Sequence, residues 1–160
     1  MNMYRVLLVE DEDIIRRGLL LSVDWLKAGC IVVGEAVDGE DGLRKIEELT
    51  PDIVITDVRM PYLDGLGMLA QSRGRGYEAI ILSGYDEFSY AKKAISLDVA
   101  EYLLKPVDFD ALYEALSRIK ARLRQRDELR RRERSRVEPL PEELLELLLW
   151  KVQKVEDTKV

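Results

Sequence analysis

Five short apolar runs recur along the first two thirds of this chain, and each is followed by a segment whose apolar residues return at helical spacing. The runs are Tyr4 to Val9, Ile31 to Glu35, Ile53 to Asp57, Ala79 to Ser83 and Tyr102 to Leu104. Between them lie the periodic sets Ile15, Leu19 and Val23; Gly42, Leu43 and Ile46; Leu66 and Leu69; and Phe88, Ala91, Ala94 and Ile95. Runs this short, bounded by turn or charge signals and separated by helix-length segments, read as strands buried on both faces. The alternation predicts an α/β fold, a five-stranded parallel sheet with helices on both faces and right-handed crossovers. Turn chemistry agrees: Asp38-Gly39 precedes the second helix, Thr50-Pro51 closes it, Asp64-Gly65 opens the third, and Gly84 follows the fourth strand.

Parallel strands direct their carboxyl ends to one edge of the sheet. Three of the five runs end there in chemistry: the first in Glu10-Asp11, the third in Asp57, the fifth in Lys105-Pro106. Three carboxylates and a lysine therefore meet at one edge. Like charges at close range are costly unless a divalent cation occupies the cluster and an anion later joins the cation and the lysine. This is the outline of a metal-dependent phosphate site.

Composition narrows the chemistry further. With 160 residues, 47% hydrophobic and 35% charged, the chain buries one ordinary core and has residues left for an extension. The formal net charge of -6 argues against a general nucleic-acid-binding surface. The sequence contains no histidine, which excludes serine-histidine and cysteine-histidine catalysis within the chain and histidine-based zinc sites. The single cysteine, Cys30, cannot form an internal disulfide and reads as packing at a strand entrance. No apolar stretch approaches membrane-spanning length and no signal-peptide core is present, so the expectation is a cytoplasmic protein without membrane contact.

A first domain is expected over residues 1–123. Its fifth helix starts near Asp108, a residue able to cap it, and carries Leu112, Leu116, Ile119 and Leu123 on one stripe. At the next stripe positions stand Arg126 and Arg130, so the packing face ends while the helix continues as a solvated rod. Residues 124–160 read as a charged helical linker and a short amphipathic helix. Basic residues dominate from Arg118 to Arg136, with Asp127, Glu128 and Glu133 as partial i, i+4 partners, which is the pattern of an exposed linker rather than a nucleic-acid contact. Pro139 and Pro141 break the chain, and Glu142-Glu143 begin a helix whose Leu144, Leu145, Leu147, Leu148, Leu149, Val152 and Val155 are too many to stay bare in water. Its partner is its own domain, a second copy, or an output module whose start it forms.

Val9-Glu10-Asp11-Glu12, Ile55-Thr56-Asp57-Val58-Arg59-Met60-Pro61, Asp64-Gly65, Leu82-Ser83-Gly84-Tyr85 and Leu104-Lys105-Pro106 together resemble the receiver domain of bacterial response regulators, in that family's order and spacing. Ser83 through Phe88 and the long charged last helix are similar to regulators whose output is an AraC-type DNA-binding domain. The resemblance implies a flavodoxin-like sheet of order 2-1-3-4-5 and makes Asp57 the phosphoacceptor. A carboxylate is a poor nucleophile toward an anion, so charge must be neutralised on the incoming phosphoryl group; Mg2+ suits this, taking hard oxygens and few carboxylates. The expected metal ligands are Asp11, Asp57 and the backbone carbonyl of Arg59, with Glu10 acting through water, because the commonest family pattern has aspartate at that position. Glu12 reads as a helix-start acid. Lys105 and Ser83 are expected on phosphoryl oxygens, with a cis peptide before Pro106 aiming the lysine inward. Arg59 and Tyr85 stand at the positions that tune phosphate lifetime. Tyr102 resembles the switch aromatic that follows Ser83 and reshapes the face of the fourth helix, fifth strand and fifth helix. The implied partners are a sensor histidine kinase as phosphodonor and a second copy through that face and the C-terminal helix.

Three rivals remain. A phosphohydrolase of the haloacid dehalogenase type also uses a strand-end aspartate and magnesium, but wants a second acid where Arg59 stands. A flavodoxin-like binding module wants a phosphate-cradling loop where Glu10-Asp11-Glu12-Asp13 would repel phosphate. A degenerate receiver would act only as an interaction domain.

Overall fold

The computed structural model describes residues 3–84, 88–136 and 140–157. In chain order the elements are β1 (Tyr4–Val9), α1 (Asp13–Ser22), β2 (Cys30–Ala36), α2 (Gly39–Leu49), β3 (Ile53–Asp57), α3 (Gly65–Gln71), β4 (Glu78–Ser83), α4 (Phe88–Ser96), β5 (Glu101–Leu104), α5 (Phe109–Arg136) and α6 (Glu142–Asp157). The strands form one parallel sheet in the order β2-β1-β3-β4-β5, so the five runs seen in the sequence are the five strands. The inner strands β1, β3 and β4 are buried almost throughout, as apolar runs without alternation require. On the outer strand β2, Ile31 is exposed, because that strand has a neighbour on one side only. Cys30 is fully buried at the first position of β2, and burial pushes its thiol up to about 11.

The helix starts follow from their caps. The Asp38 carboxylate accepts from the Asp41 amide and the Asp64 carboxylate from the Gly67 amide. Thr50 ends α2 in the left-handed conformation at φ 43°. Gly65 follows Asp64 for a different reason: a Cβ there would lie 2.0 Å from the Asp57 carbonyl oxygen, and the Gly65 amide donates to the Val58 carbonyl at 2.8 Å. Only glycine lets α3 begin this close to the end of β3.

Two stripes differ from expectation. In α1 the buried residues are Arg16 and Leu19, with Val23 buried just beyond the helix and Ile15 only partly covered. In α4, Ala94 is buried while Ile95 is 80% exposed, because the inward path continues through Leu97; the side chains of Phe88 and Ala91 lie outside the described residues. In α5, Leu112, Leu116, Ile119 and Leu123 are all fully buried, and the helix then runs on to Arg136. The Asp108 carboxylate accepts from the Asp110 amide at its start.

The chain divides into two compact units, Met1–Arg122 and Leu123–Val160. α6 contains no buried residue. Among the described residues no helix is long and apolar enough to cross a membrane.

Candidate functional site

Strand register sets which side chains meet. Val9 stands opposite Thr56, so Glu10 and Asp57 leave the sheet side by side. Asp57 stands opposite Leu82 and Ser83 opposite Leu104, which brings the chain end of β4 and Lys105 to the same edge. The Lys105 amide donates to the Ser83 carbonyl at 2.7 Å, extending that pairing by one residue.

At this edge the Lys105 ammonium donates to Asp57 Oδ2 at 2.7 Å and to Glu10 Oε2 at 3.3 Å. The other oxygens are held by backbone: the Val58 amide donates to Asp57 Oδ1 at 2.7 Å and the Glu12 amide to Glu10 Oε1 at 3.2 Å. Glu10 and Asp57 are buried and Lys105 is partly open to solvent. Burial, and then the negative charge of Asp57, push the Glu10 carboxyl up to about 7 despite the opposing pull of Lys105 and the Glu12 amide. Burial works against the Lys105 charge, but the hydrogen bond and charge of Asp57, with those of Glu10, outweigh it and hold the ammonium above its ordinary value.

One ammonium does not balance the acids gathered here. Glu10, Asp11 and Asp57 each offer a carboxylate oxygen, all within 4.8 Å of one another. That donor set is all hard oxygen, three carboxylates gathered around a single ammonium. The residues therefore fit a small hard divalent cation, with Asp11, the most open of the three, facing outward.

The remaining expected residues are placed as follows. Ser83 is buried, with its hydroxyl donating to the Gly84 carbonyl at 3.3 Å. The Lys105–Pro106 peptide bond is cis. Tyr102 is half-buried and packs against the core layer that includes Val54, Ile81 and Ala94. Arg59 is exposed two residues beyond Asp57. Tyr85 lies outside the described residues. Glu12 forms the N-cap of α1 without a side-chain capping bond.

Arg16 was not singled out in the sequence. Arg16 is buried, and its guanidinium donates to the Glu10 carbonyl at 2.7 Å, to Glu35 Oε1 at 3.1 Å and to the Asp13 carboxylate. It ties the end of β1 to β2 and to the first turn of α1, and so positions the Glu10-Asp11 segment. The available signal was its place next to Ile15 on the inward side of an amphipathic helix, where a charge must find partners.

Residues 6–117 match the response regulator receiver domain family. The chain is 39% identical over 127 residues to the uncharacterized transcriptional regulatory protein YesN of Bacillus subtilis, a match covering 78% of this chain and 34% of that protein. It is 39% identical over 117 residues to the transcriptional regulatory protein HptR of Staphylococcus aureus, covering 73% of this chain and 46% of the relative. It thus spans between a third and a half of these curated relatives. Among solved structures, the REC domain of AraT, a response regulator from Geobacillus stearothermophilus, superposes with a TM-score of 0.74 at 40% identity, covering 78% of this chain and 98% of that one. With the sheet order, the acidic edge and the strand-end lysine, these likenesses give one conclusion: the chain belongs to the receiver-domain family of two-component response regulators.

Proposed function

We propose that this chain is a phosphorylation-activated switch that takes a phosphoryl group onto Asp57. The observation that carries this reading is the Lys105 ammonium held between Asp57 and Glu10, with Asp11 close enough to complete an oxygen site. Asp11 and Asp57, the Arg59 carbonyl, and Glu10 through water would hold Mg2+. When bound, the ion supplies Lewis-acid neutralisation of charge on the transferred group.

The residues supply the rest. An Asp57 carboxylate oxygen forms the new bond to phosphorus as the bond to the donor breaks, and the donor leaves with that electron pair. The Val58 amide fixes the carboxylate for approach in line. Lys105 gains a phosphoryl oxygen as partner, and Ser83 exchanges its bond to the Gly84 carbonyl for another. Because the sequence contains no histidine, the donor is a separate sensor histidine kinase or a small phosphodonor. Movement of Ser83 lets Tyr102 turn inward, changing the face of α4, β5 and α5 through which two copies pair, and α5 carries that change to a DNA-binding output module. Arg59 and Tyr85 limit water access and lengthen the acyl phosphate's life. The setting is cytoplasmic, with no membrane or nucleic-acid contact by residues 1–160.

The test is incubation with acetyl phosphate and MgCl2 followed by intact-mass measurement. A phosphate-sized mass gain that needs Mg2+ and is absent in Asp57→Asn supports the proposal. No gain in the wild type, or an equal gain in Asp57→Asn, overturns it. Sustained hydrolysis of a generic phosphate ester would instead identify a phosphohydrolase.

A further inference from the structure

Eight apolar side chains of α6, from Leu144 to Val155, are each at least 44% exposed, and all but Leu147 and Trp150 gather on one side of the helix. Leu145, Leu148, Val152 and Val155 are spaced three, four and three residues apart and share an arc of about 80°. That is the a-d-a-d seam of a two-stranded coiled coil. The flanking positions then decide what can lie against it. In this register Leu144 and Lys151 precede the a positions, while Leu149 and Glu156 follow the d positions.

We infer that α6 pairs in parallel and in register with α6 of a second copy of this chain. In a parallel pair, each residue before an a position meets the residue five further on in the partner helix. Leu144 then meets Leu149 of the other copy, an apolar pair, and Lys151 meets Glu156, an opposite-charge pair; two-fold symmetry makes each contact twice. An antiparallel pair, with each a layer against a d layer, would instead set Leu144 against Lys151 and Leu149 against Glu156, leaving both charges opposite leucines. The flanks therefore discriminate between orientations. Trp150 lies on the outer side, where the Lys154 ammonium covers its ring at 4.2 Å from the centroid, and so needs no place in the seam. Leu147 also stays outside it.

Sixteen residues make a weak zipper alone, because short helices in water are marginal. Tethering by any other contact between two copies would raise the effective concentration and strengthen the pair. The inference deepens the homodimer reading above, but its contacts are confined to α6 and do not require phosphate.

The test uses the full chain at about 100 µM, a concentration at which weak pairing is populated. Leu148→Cys places a thiol in the seam and Gln153→Cys places one outside; native Cys30 is fully buried and does not compete. Oxidation with diamide should link Leu148→Cys chains at least about tenfold faster than Gln153→Cys chains. Adding Lys151→Glu to Leu148→Cys should slow linking roughly three- to tenfold, and adding Glu156→Lys as well should restore it. Repeating the set in Asp57→Asn separates this inference from phosphoryl acceptance: the same pattern there supports pairing whatever the fate of the phosphate reading. Equal linking rates at 148 and 153, or charge reversals without effect, overturn the parallel pair and assign the face to a following module or to the chain's own receiver.

Discussion

The sheet-bearing unit and α6 are built from the same leucines and valines and treat them in opposite ways. Leu112 and Leu116 are fully buried, whereas Leu144, Leu145 and Leu148 are close to half exposed. The difference lies in what each segment finds to pack on. In α5, Leu112, Leu116 and Ile119 are covered within the unit whose inner strands are themselves buried, so apolar surfaces leave water together. α6 has a comparable stripe and no buried residue. An apolar pattern states what a segment must cover, and only the fold or a partner states with what.

The largest effect should come from breaking the packed side. Leu116→Ala removes a fully buried side chain and should cost about 2–5 kcal/mol of unfolding free energy and on the order of 10 °C in Tm, read by calorimetry. Next comes the acidic edge. The Glu10 carboxyl sits near 7 in the folded chain against an ordinary 4.5, so the folded state holds the extra proton between those values. Without divalent cation, the stability this group contributes is complete below about pH 4.5 and is lost as pH rises through 7. Urea unfolding at a series of pH values should give a fall on the order of 3 kcal/mol that Glu10→Gln removes.

Arg16→Met should have a similar or smaller effect, about 1–3 kcal/mol, because Asp13 and Glu35 can turn to water while the Glu10 carbonyl loses a buried donor. It should also weaken divalent-cation binding, since the Glu10-Asp11 segment loses its anchor. The smallest effect belongs to the open side: Leu148→Ala should change the unfolding of the sheet-bearing unit by less than about 0.5 kcal/mol. A cost of several kcal/mol there would erase the contrast between the two regions.

The acidic edge was legible because strand ends are punctuated. Each apolar run that stops at a charge in a parallel sheet delivers that charge to one edge, so the meeting of Glu10, Asp57 and Lys105 follows from three strand boundaries. The cap residues Asp38 and Asp64 were legible for the same local reason. Arg16 was not, because its partners come from β1, β2 and α1 and a charge beside a helical stripe reads as surface until those elements are assembled. Ile95 erred the other way: Ala94 and Leu97 suffice to cover the sheet under α4, which turns Ile95 to water. The Ser83 hydroxyl lies on the Gly84 carbonyl, a choice of rotamer that residue order does not encode.

The central claim is that the carboxylates of Glu10, Asp11 and Asp57 form one cation site. The most direct measurement is the shift in Tm on adding about 10 mM MgCl2 at pH 8 to the wild type and to Asp11→Asn. A rise of a few degrees in the wild type that disappears in Asp11→Asn is predicted. An unchanged wild type, or the same rise in both, would contradict it.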